Sequence, residues 1–243
     1  MYQPRTYRRW VRAPDLVSFR VVVKETDLMV LADSDLTTET LYLVSKFRRI
    51  IESYIEINPL FLTSLEPVNV AEGVPSIICQ MADAATQVRV GPMAAVAGAI
   101  AQSVGEELAI ISQEVIIENG GDNYLTSHHD RVVGIYAGNS SLSGRIGLVI
   151  KASEMPVGVC TSSGTVGHSL SFGSADAVTV VSPSAFLADA AATAIGNRIG
   201  SVDDFPIGFE LAERTSGILG VVIIKDDKVG AWGDVELCSI AGE

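Results

Sequence analysis

The sequence predicts an α+β fold, and two observations lead to this prediction: the kind of apolar residue in the chain and the order of its segments. Hydrophobic residues make up 48% of the 243 residues but aromatic residues only 6%, so most apolar side chains are small or aliphatic. Such side chains favour close packing of helices on a sheet. A strand hairpin, three helices, many strands, one helix and further strands follow in turn, which favours α+β over regular β–α–β repetition.

The first segments predict a β-hairpin and an amphipathic helix. Two β-rich runs, residues 16–24 and 28–32, are separated by a short polar link, which is typical of a hairpin. Polar residues at 35–39 offer helix caps. Apolar residues from 41 to 55 then recur at helical spacing, and an Asn-Pro pair follows them.

The rest of the chain predicts two more helices and then mostly strands. Residues 59–75 contain several prolines and predict a loop, and helices are predicted at 76–88 and 93–108. A buried strand at 114–118 precedes a Gly-Gly pair. Further strands are predicted at 131–137, 146–151, 156–160, 176–182 and within 217–240. A further helix is predicted at 184–197, and residues 201–215 are a candidate for a last helix.

The charge of the chain excludes one class of partner. A net charge of −12 and an isoelectric point near 4.7 argue against nucleic-acid binding, which needs a basic surface. The length suits one domain, residues 1–243, with an N-terminal arm at residues 1–14, or two small domains packed closely together. Arginines alternate with aromatic residues in that arm, which predicts an arm packed on the body or on a neighbouring subunit; phosphate or nucleobase binding is the alternative. The apolar content and the Ala-rich helices favour a homodimer.

Cysteine usage and hydropathy predict a cytoplasmic protein. The three cysteines are far apart and form no C-x-x-C pair, so neither a disulfide framework nor a zinc site is indicated. The first residues lack the apolar core of a secretory signal. The longest apolar run, residues 92–104, is too short to cross a bilayer.

The segment 158–197 is the richest in small, hydroxylated and flexible residues. Its residues 161–167, TSSGTVG, follow an apolar run, and glycines with hydroxyls after a strand suit phosphate binding because backbone N–H groups can approach closely. The spacing matches neither a Walker loop nor a dinucleotide fingerprint, and a flexible turn would look the same. His168 lies in this segment and is the histidine predicted to act as a hydrogen-bonding or acid–base group. His128 and His129 are predicted to be exposed.

Asp189 and Thr193 are four residues apart on a predicted helix, so both lie on one face. The surrounding residues are nearly all alanine, which leaves room for a ligand. Mg²⁺ takes few protein oxygens and completes its shell with water and phosphate, so this pair suits it. The alternative is that Asp189 lies in the first turn and stabilises the helix dipole.

The run ENGGD at 118–122 is the third candidate. Its glycine pair allows a sharp turn or close approach of a ligand to the backbone, and Asn119 and Asp122 could hold a ribose or a base. A plain turn is the alternative. Cys160 and His168 raise a further alternative, a nucleophilic Cys/His pair, although Cys160 ends an apolar run and burial as a small hydrophobic residue is favoured.

Four runs carry a family resemblance: GPMAAVAGAIAQ, EVIIENGGD, GVCTSSGTVGHSLSFGSADAVTVV and LADAAATAIGN. Together they resemble an uncharacterised family of prokaryotic proteins in the ApbE-like superfamily, whose characterised members are FAD:protein FMN transferases. The resemblance to the uncharacterised family covers nearly the whole chain, and that to the transferases covers about residues 91–197.

The resemblance implies a T-fold-like α+β arrangement, with mainly antiparallel sheets packed with helices and a duplicated core. It implies Mg²⁺ at Asp189 and Thr193 and FAD or a related nucleotide as ligand. His168 is the candidate catalytic residue. The residues expected to bind the cofactor are Asn119, Gly120, Gly121, Asp122, Thr161, Ser162, Ser163, Gly164 and Thr165.

Two departures from the transferase pattern bear on activity. The motif Asp-x-Gly-Gly-x-Ala-Lys-Gly matches residues 91–98, with Gly91 in place of the Asp and Ala97 in place of the Lys. The His-x-x-Asp-Pro signature is not matched after His168. Two functions follow as hypotheses: an ApbE-like enzyme acting on FAD or a related nucleotide, and a non-catalytic flavin- or nucleotide-binding module. A Cys160-dependent enzyme is a third.

Overall fold

In the computed structural model, which describes residues 13–164 and 173–240, helices cover one face of an eight-stranded sheet and a three-stranded sheet covers part of the other. Every strand pair is antiparallel among the described residues, so the predicted α+β class is confirmed. The helices are α1 Thr37–Ile57, α2 Leu60–Thr63, α3 Ser76–Val88, α4 Val96–Leu108, α5 Ala185–Gly196 and α6 Phe205–Arg214. The strands are β1 Val17–Val23, β2 Thr26–Ala32, β3 Val115–Asn119, β4 Asp122–Thr126, β5 Arg131–Gly134, β6 Ile146–Ile150, β7 Val157–Ser162, β8 Ala177–Ser182, β9 Gly220–Lys225, β10 Lys228–Gly233 and β11 Glu236–Ser239.

The large sheet is built from two similar halves. Its strand order is β1-β2-β3-β4-β7-β8-β9-β10. In the first half, β1 and β2 lead into helices and then into β3 and β4; in the second, β7 and β8 lead into α5 and α6 and then into β9 and β10. This is the duplicated core that the resemblance implied. The halves meet where β4 pairs with β7, and there α4 of one half packs against α5 of the other.

Most strands of the large sheet are apolar on both faces because both faces are covered. In β3, Ile117 packs with the helices while Ile116 packs with residues of the three-stranded sheet, and both are fully buried. Strands buried on both sides read as continuous apolar runs rather than alternating ones. Polar residues that interrupt such runs, as at the β3–β4 turn, therefore need a specific explanation.

Several elements match their predictions and others differ. The hairpin, α1, α3 and α5 lie where they were predicted, and Ser184 caps α5 by accepting a hydrogen bond from the amide of Leu187 (3.4 Å). The predicted loop 59–75 contains α2, which is held by the buried ring of Phe61. The helix predicted at 93–108 begins as a 3₁₀ turn, Pro92–Ala95, before α4. Further differences are a shorter β5, 3₁₀ turns at Ala152–Glu154 and at Val202–Asp204 before α6, and β4, which was not predicted.

No helix among the described residues combines the length and the hydropathy of a membrane span.

Replacing Arg89 with glycine is expected to raise the free energy of unfolding by about 0.5–1 kcal/mol. Arg89 follows α3 in the left-handed conformation (φ 60°), and its amide bonds to the carbonyls of Ala85 and Thr86. A side chain is disfavoured in that conformation, and glycine is not. Urea unfolding measures the change. Arg89→Ala removes the charge but keeps the disfavoured conformation, so a gain of equal size in that variant would contradict the explanation.

Candidate functional site

The β3–β4 turn is formed by Gly120 and Gly121, which both have positive φ (72° and 111°). Such a two-residue turn matches the twist of its strands and needs glycine-like conformations. The amide of Gly121 donates to Oε1 of Glu118 (2.9 Å). Asn119 and Asp122 are paired across the turn on the helix-covered face of the sheet, next to the half-to-half junction. The turn geometry therefore explains why both residues are glycine. The side chains of Asn119 and Asp122 are not needed to form the turn and can make contacts outside it.

Asp189 lies one turn beyond the start of α5 and contacts a different helix. Its Oδ2 accepts a hydrogen bond from the amide of Gly98 (2.8 Å), and the amide of Ala97 also donates to this carboxylate. These amides belong to the first turn of α4, where backbone donors lack intrahelical partners. The alternative that Asp189 serves the dipole of its own helix is therefore wrong: it stabilises the N-terminus of α4. The side chain of Asn119 donates to the carbonyl of Ala97 (3.0 Å), which ties the β3–β4 turn to the same place.

Glycine makes this close contact of α4 with α5 sterically feasible. A Cβ on Gly98 would lie 2.2 Å from the carbonyl oxygen of Ala185, and a Cβ on Gly158 would lie 2.4 Å from the Cα of Ala185. The start of α5 thus fits against α4 and β7 at backbone distance. Gln102 accepts a hydrogen bond from the amide of Ala185 (2.7 Å) and so caps α5 from the neighbouring helix. Gln102 lies within the apolar run 92–104, and no local pattern in the sequence indicates this cap.

Asp122 is the second buried carboxylate of this site. It is 8% exposed and its strand partner is Cys160. The amide of Thr161 donates to its carboxylate, and the thiol of Cys160 lies beside it. Its Oδ1 has no hydrogen-bond partner within residues 13–164 and 173–240. Burial, together with the charges of Asp189 and Glu118, raises the pKa of Asp122 well above the usual value.

Burial also raises the pKa of Asp189, to about 7, although the amides of Gly98 and Ala97 oppose the shift. Two buried carboxylates in mutual repulsion cannot both carry a full charge without compensation. A proton or a cation supplies that compensation. Oxygen ligands at a buried position are what a hard divalent cation binds, so these residues fit Mg²⁺. Thr193, one turn beyond Asp189 on the same helix, is half-buried.

The predicted phosphate loop begins inside β7. Thr161 and Ser162 are the last residues of that strand and point to opposite faces. Thr161 is hydrogen-bonded to Thr179 through their hydroxyls (2.9 Å) on the face away from the helices. Ser162 lies on the helix side, where a Cβ on Gly196 would be 3.6 Å from its hydroxyl. Of the two predicted cofactor residues that lie in β7, Ser162 is therefore the one on the same face as Asp122.

The rest of that loop is described only in part. Ser163 is half-buried, and Gly164 donates its amide to the carbonyl of Ala175 (2.9 Å), which closes the base of the loop. Thr165 and His168 lie outside the described residues, so their predicted roles remain predictions.

Cys160 is fully buried, as predicted for a small hydrophobic residue. Its thiol lies 3.5 Å from the carbonyl oxygen of Ala185. Burial and the charges of Asp122 and Asp189 raise the pKa of this thiol well above its usual value. The nucleophilic form of cysteine is the thiolate, so this environment argues against a Cys160-dependent enzyme.

A second group of potential metal ligands lies at the opposite end of β3. Oxygen and nitrogen atoms of Asp15, Glu114 and His129 lie within 4.8 Å of one another. The guanidinium of Arg131 binds both carboxylates, with distances of 2.6 and 2.8 Å to Asp15. The guanidinium of Arg131 already supplies the positive charge that balances these carboxylates. The group is therefore an ion-pair network. His128 and His129 are exposed, as predicted.

Comparison with known proteins identifies relatives along nearly the whole chain. A family model described as AbpE bacteria matches residues 8–215. A UPF0280 protein of Methanococcus maripaludis strain C6 is 45% identical over 89% of this chain and 90% of its own length. A UPF0280 protein of Methanocaldococcus jannaschii is 42% identical over 89% of this chain and 90% of its own length.

Two solved structures share the fold at low sequence identity. The ApbE protein of Thermotoga maritima superposes with a TM-score of 0.62 at 14% identity, covering 88% of this chain and 96% of that protein. The apo form of the flavinyl transferase ApbE of Pseudomonas stutzeri superposes with a TM-score of 0.56 at 11% identity, covering 89% of this chain and 94% of that protein.

Proposed function

The chain belongs to the family described as AbpE bacteria, and on that premise we propose that it binds a flavin nucleotide such as FAD together with Mg²⁺ at the junction of its two halves. Asp189 and Thr193 would hold the metal. The nucleotide would lie against the β3–β4 turn, Asn119 to Asp122, and against Thr161 to Thr165. His168 would contribute a proton donor or acceptor.

The observation that carries this proposal is the buried carboxylate of Asp189 at the N-terminus of α4. Its oxygen is fixed by the amide of Gly98 (2.8 Å), so its orientation is set before any ligand binds. Holding a ligand group in place beforehand lowers the entropy lost on binding. The second carboxylate beside it, Asp122, adds negative charge that a divalent cation would balance.

The chemistry at this site would concern a pyrophosphate. Bound Mg²⁺ acts as a Lewis acid that offsets charge on phosphate oxygens. Asp189 and Thr193 would fix the position of the metal, and Asn119 is already oriented by its bond to the carbonyl of Ala97 (3.0 Å). The first candidate activity, by analogy with the flavin transferases that share the fold, is cleavage of FAD with transfer of FMN to an acceptor.

A second candidate function is binding without transfer, and Gly91 favours it. A Cβ at Gly91 would lie 1.8 Å from the carbonyl oxygen of Ser64, so no side chain fits there. The resemblance aligns this position with an Asp of the transferases, and here the chain after α2 fills that space. Ala97, which aligns with the Lys of the transferases, has no polar side chain and offers a ligand only its main-chain amide and carbonyl. Both changes remove charged side chains near the proposed pyrophosphate.

The wild-type protein is expected to bind FAD more tightly with Mg²⁺ than with EDTA. Asp189→Asn is expected to lower the FAD affinity measured with Mg²⁺ by at least about tenfold, because even residues in the outer shell of a metal site change metal affinity roughly 10–100-fold. Flavin fluorescence or calorimetry measures both. The matched control is Asp83→Asn, an exposed carboxylate on α3, which should bind like wild type. Absence of flavin binding by the wild type, or unchanged binding by Asp189→Asn, would refute the proposal.

The two candidate functions differ in one product. Incubation with FAD, Mg²⁺ and a candidate acceptor protein should release AMP if FMN is transferred, and chromatography detects it. Retention of intact FAD throughout would favour the binding module. A homodimer and a cytoplasmic location stay predictions; sedimentation analysis tests the first.

A further inference from the structure

We propose that Asp122 is itself a metal ligand, and that its free carboxylate oxygen binds the same divalent cation as Asp189. This inference rests on the proposed function and adds a residue to it. The resemblance assigns the metal to Asp189 and Thr193, and the sequence predicted Asp122 as a contact to the nucleotide. The cation would then bridge the two halves of the duplicated core.

The contacts to α4 bring Asp122 and Asp189 to one place. Asn119 is the strand partner of Asp122 in the β3–β4 hairpin. Its amide donates to the carbonyl of Ala97 (3.0 Å), and Asp189 accepts from the next residue, Gly98 (2.8 Å). The end of the hairpin and the carboxylate of α5 thus contact two successive residues of one helix.

The contacts to α5 locate Asp122 from the other side. Its partner on the neighbouring strand is Cys160. The thiol of Cys160 lies 3.5 Å from the carbonyl oxygen of Ala185, which is one helical turn before Asp189. Residues four apart lie on the same face of a helix, so Asp189 and Ala185 face the same strands. Asp122 therefore lies on the helix-covered side of the sheet, next to Asp189.

The carboxylate of Asp122 has an unused ligand atom. The amide of Thr161 donates to this carboxylate and the thiol of Cys160 lies beside it, but Oδ1 has no partner in the part of the chain that the structure describes. The residue is only 8% exposed, so bulk water does not compensate for the missing contact. An unsatisfied buried polar group is destabilising, and a charged one more so. A second carboxylate next to this oxygen makes a cation the complementary ligand.

The donor set suits Mg²⁺ or Mn²⁺. These ions bind carboxylate and hydroxyl oxygens and keep positions for water and phosphate. Asp122 from the first half, with Asp189 and Thr193 from the second, would supply three oxygens and leave the remaining positions to a nucleotide. The alternative is a pair of carboxylates that share one proton and need no metal.

Mn²⁺ binding to the full chain distinguishes these alternatives. Mn²⁺ is titrated with and without FAD, free Mn²⁺ is measured by electron paramagnetic resonance, and the melting temperature is recorded in parallel. Asp122→Asn is expected to weaken Mn²⁺ binding at least about tenfold and to abolish the metal-dependent rise in melting temperature. Without metal, its melting temperature should equal or exceed that of wild type, because one of two mutually repelling carboxylates is gone. Asp122→Ser serves the same purpose if the first variant does not fold, and Asp83→Asn is the control.

Each result has a defined meaning. Mn²⁺ affinity unchanged in Asp122→Asn but lost in Asp189→Asn would overturn this inference and leave the proposed function intact. Absence of Mn²⁺ binding by the wild type, with or without FAD, would overturn both. Loss of binding in both variants, with metal-free Asp122→Asn at least as stable as wild type, is the expected result.

Discussion

Replacing Arg131 with methionine is expected to lower the free energy of unfolding by about 3 kcal/mol, the lower end of the range for breaking a buried ion pair. The side chain of Arg131 is 4% exposed and that of Glu114 is 7% exposed, and the two form an ion pair. Methionine keeps most of the volume but leaves Glu114 buried without its cation. The lower end of the range applies because Asp15 and His129, which also belong to this network, are 45% and 68% exposed.

Arg214→Met is the matched control for this experiment. Arg214 pairs with Glu210 one turn earlier on α6, but its side chain is 74% exposed. Exposed pairs contribute roughly 0–1 kcal/mol, so chemical unfolding of this variant should differ little from wild type. Equal losses in both variants would show that the buried position of Arg131 has no special role.

The same network gives the protein a defined acid dependence. Burial opposes ionisation of Glu114, but hydrogen bonds from Ser127, Arg131 and His129 outweigh it and lower the pKa of Glu114 to about 2. The unfolded chain binds that proton near pH 4.3. A carboxylate whose pKa is depressed by folding stabilises the folded state above the unfolded pKa, and the contribution is lost as pH falls toward the folded value. Stability should therefore fall between about pH 4.3 and 2, and more shallowly in Glu114→Gln.

Local pattern was sufficient to predict the elements that depend on nearby residues. α1 and α3 have apolar residues at helical spacing and clear boundaries, so their limits could be read from the sequence. The pairing of Asp189 with Thr193 on one helix face also needs only local spacing. β4 could not be predicted in this way, because Asp122 and Asn123 are uncommon in strands. It is a strand because β3 and β7 pair with it on either side.

The partners of the site residues depend on long-range packing. Asp189 binds an amide 91 positions away in the sequence, at Gly98, and Gln102 caps a helix that begins 83 positions later. No periodicity within a segment encodes such contacts. The duplication of the core was likewise invisible as a sequence repeat; it appears only in the strand order. The one local sign was the density of small residues in the segment that forms α4, which indicated close packing without naming the partner.

The contact of α4 with α5 leads to the second large effect: Gly98→Ala is expected to destabilise the protein by roughly 3 kcal/mol, at the upper end of the cost of overpacking. Alanine inside a helix normally stabilises by about 0.5–1 kcal/mol relative to glycine, so the expected sign is reversed. The reason is that the new Cβ would lie 2.2 Å from the carbonyl oxygen of Ala185, a backbone atom that cannot rotate away. The helices must separate, and the bond from Gly98 to Asp189 is then lost.

Gly196→Ala provides the control because Gly196 also lies in a helix of this junction, at the end of α5, and its added Cβ would meet nothing closer than 3.6 Å. That variant should be as stable as wild type or gain up to about 1 kcal/mol, the usual preference of a helix for alanine over glycine. Thermal and urea unfolding measure both changes, and Mn²⁺ titration of Gly98→Ala below its melting temperature measures the consequence for the site. If the separation of α4 and α5 displaces Asp189, metal affinity falls together with stability. A Gly98→Ala protein as stable as wild type would mean that α4 and α5 are not in backbone contact, and the placement of Asp189 beside Asp122 would then lose its structural basis.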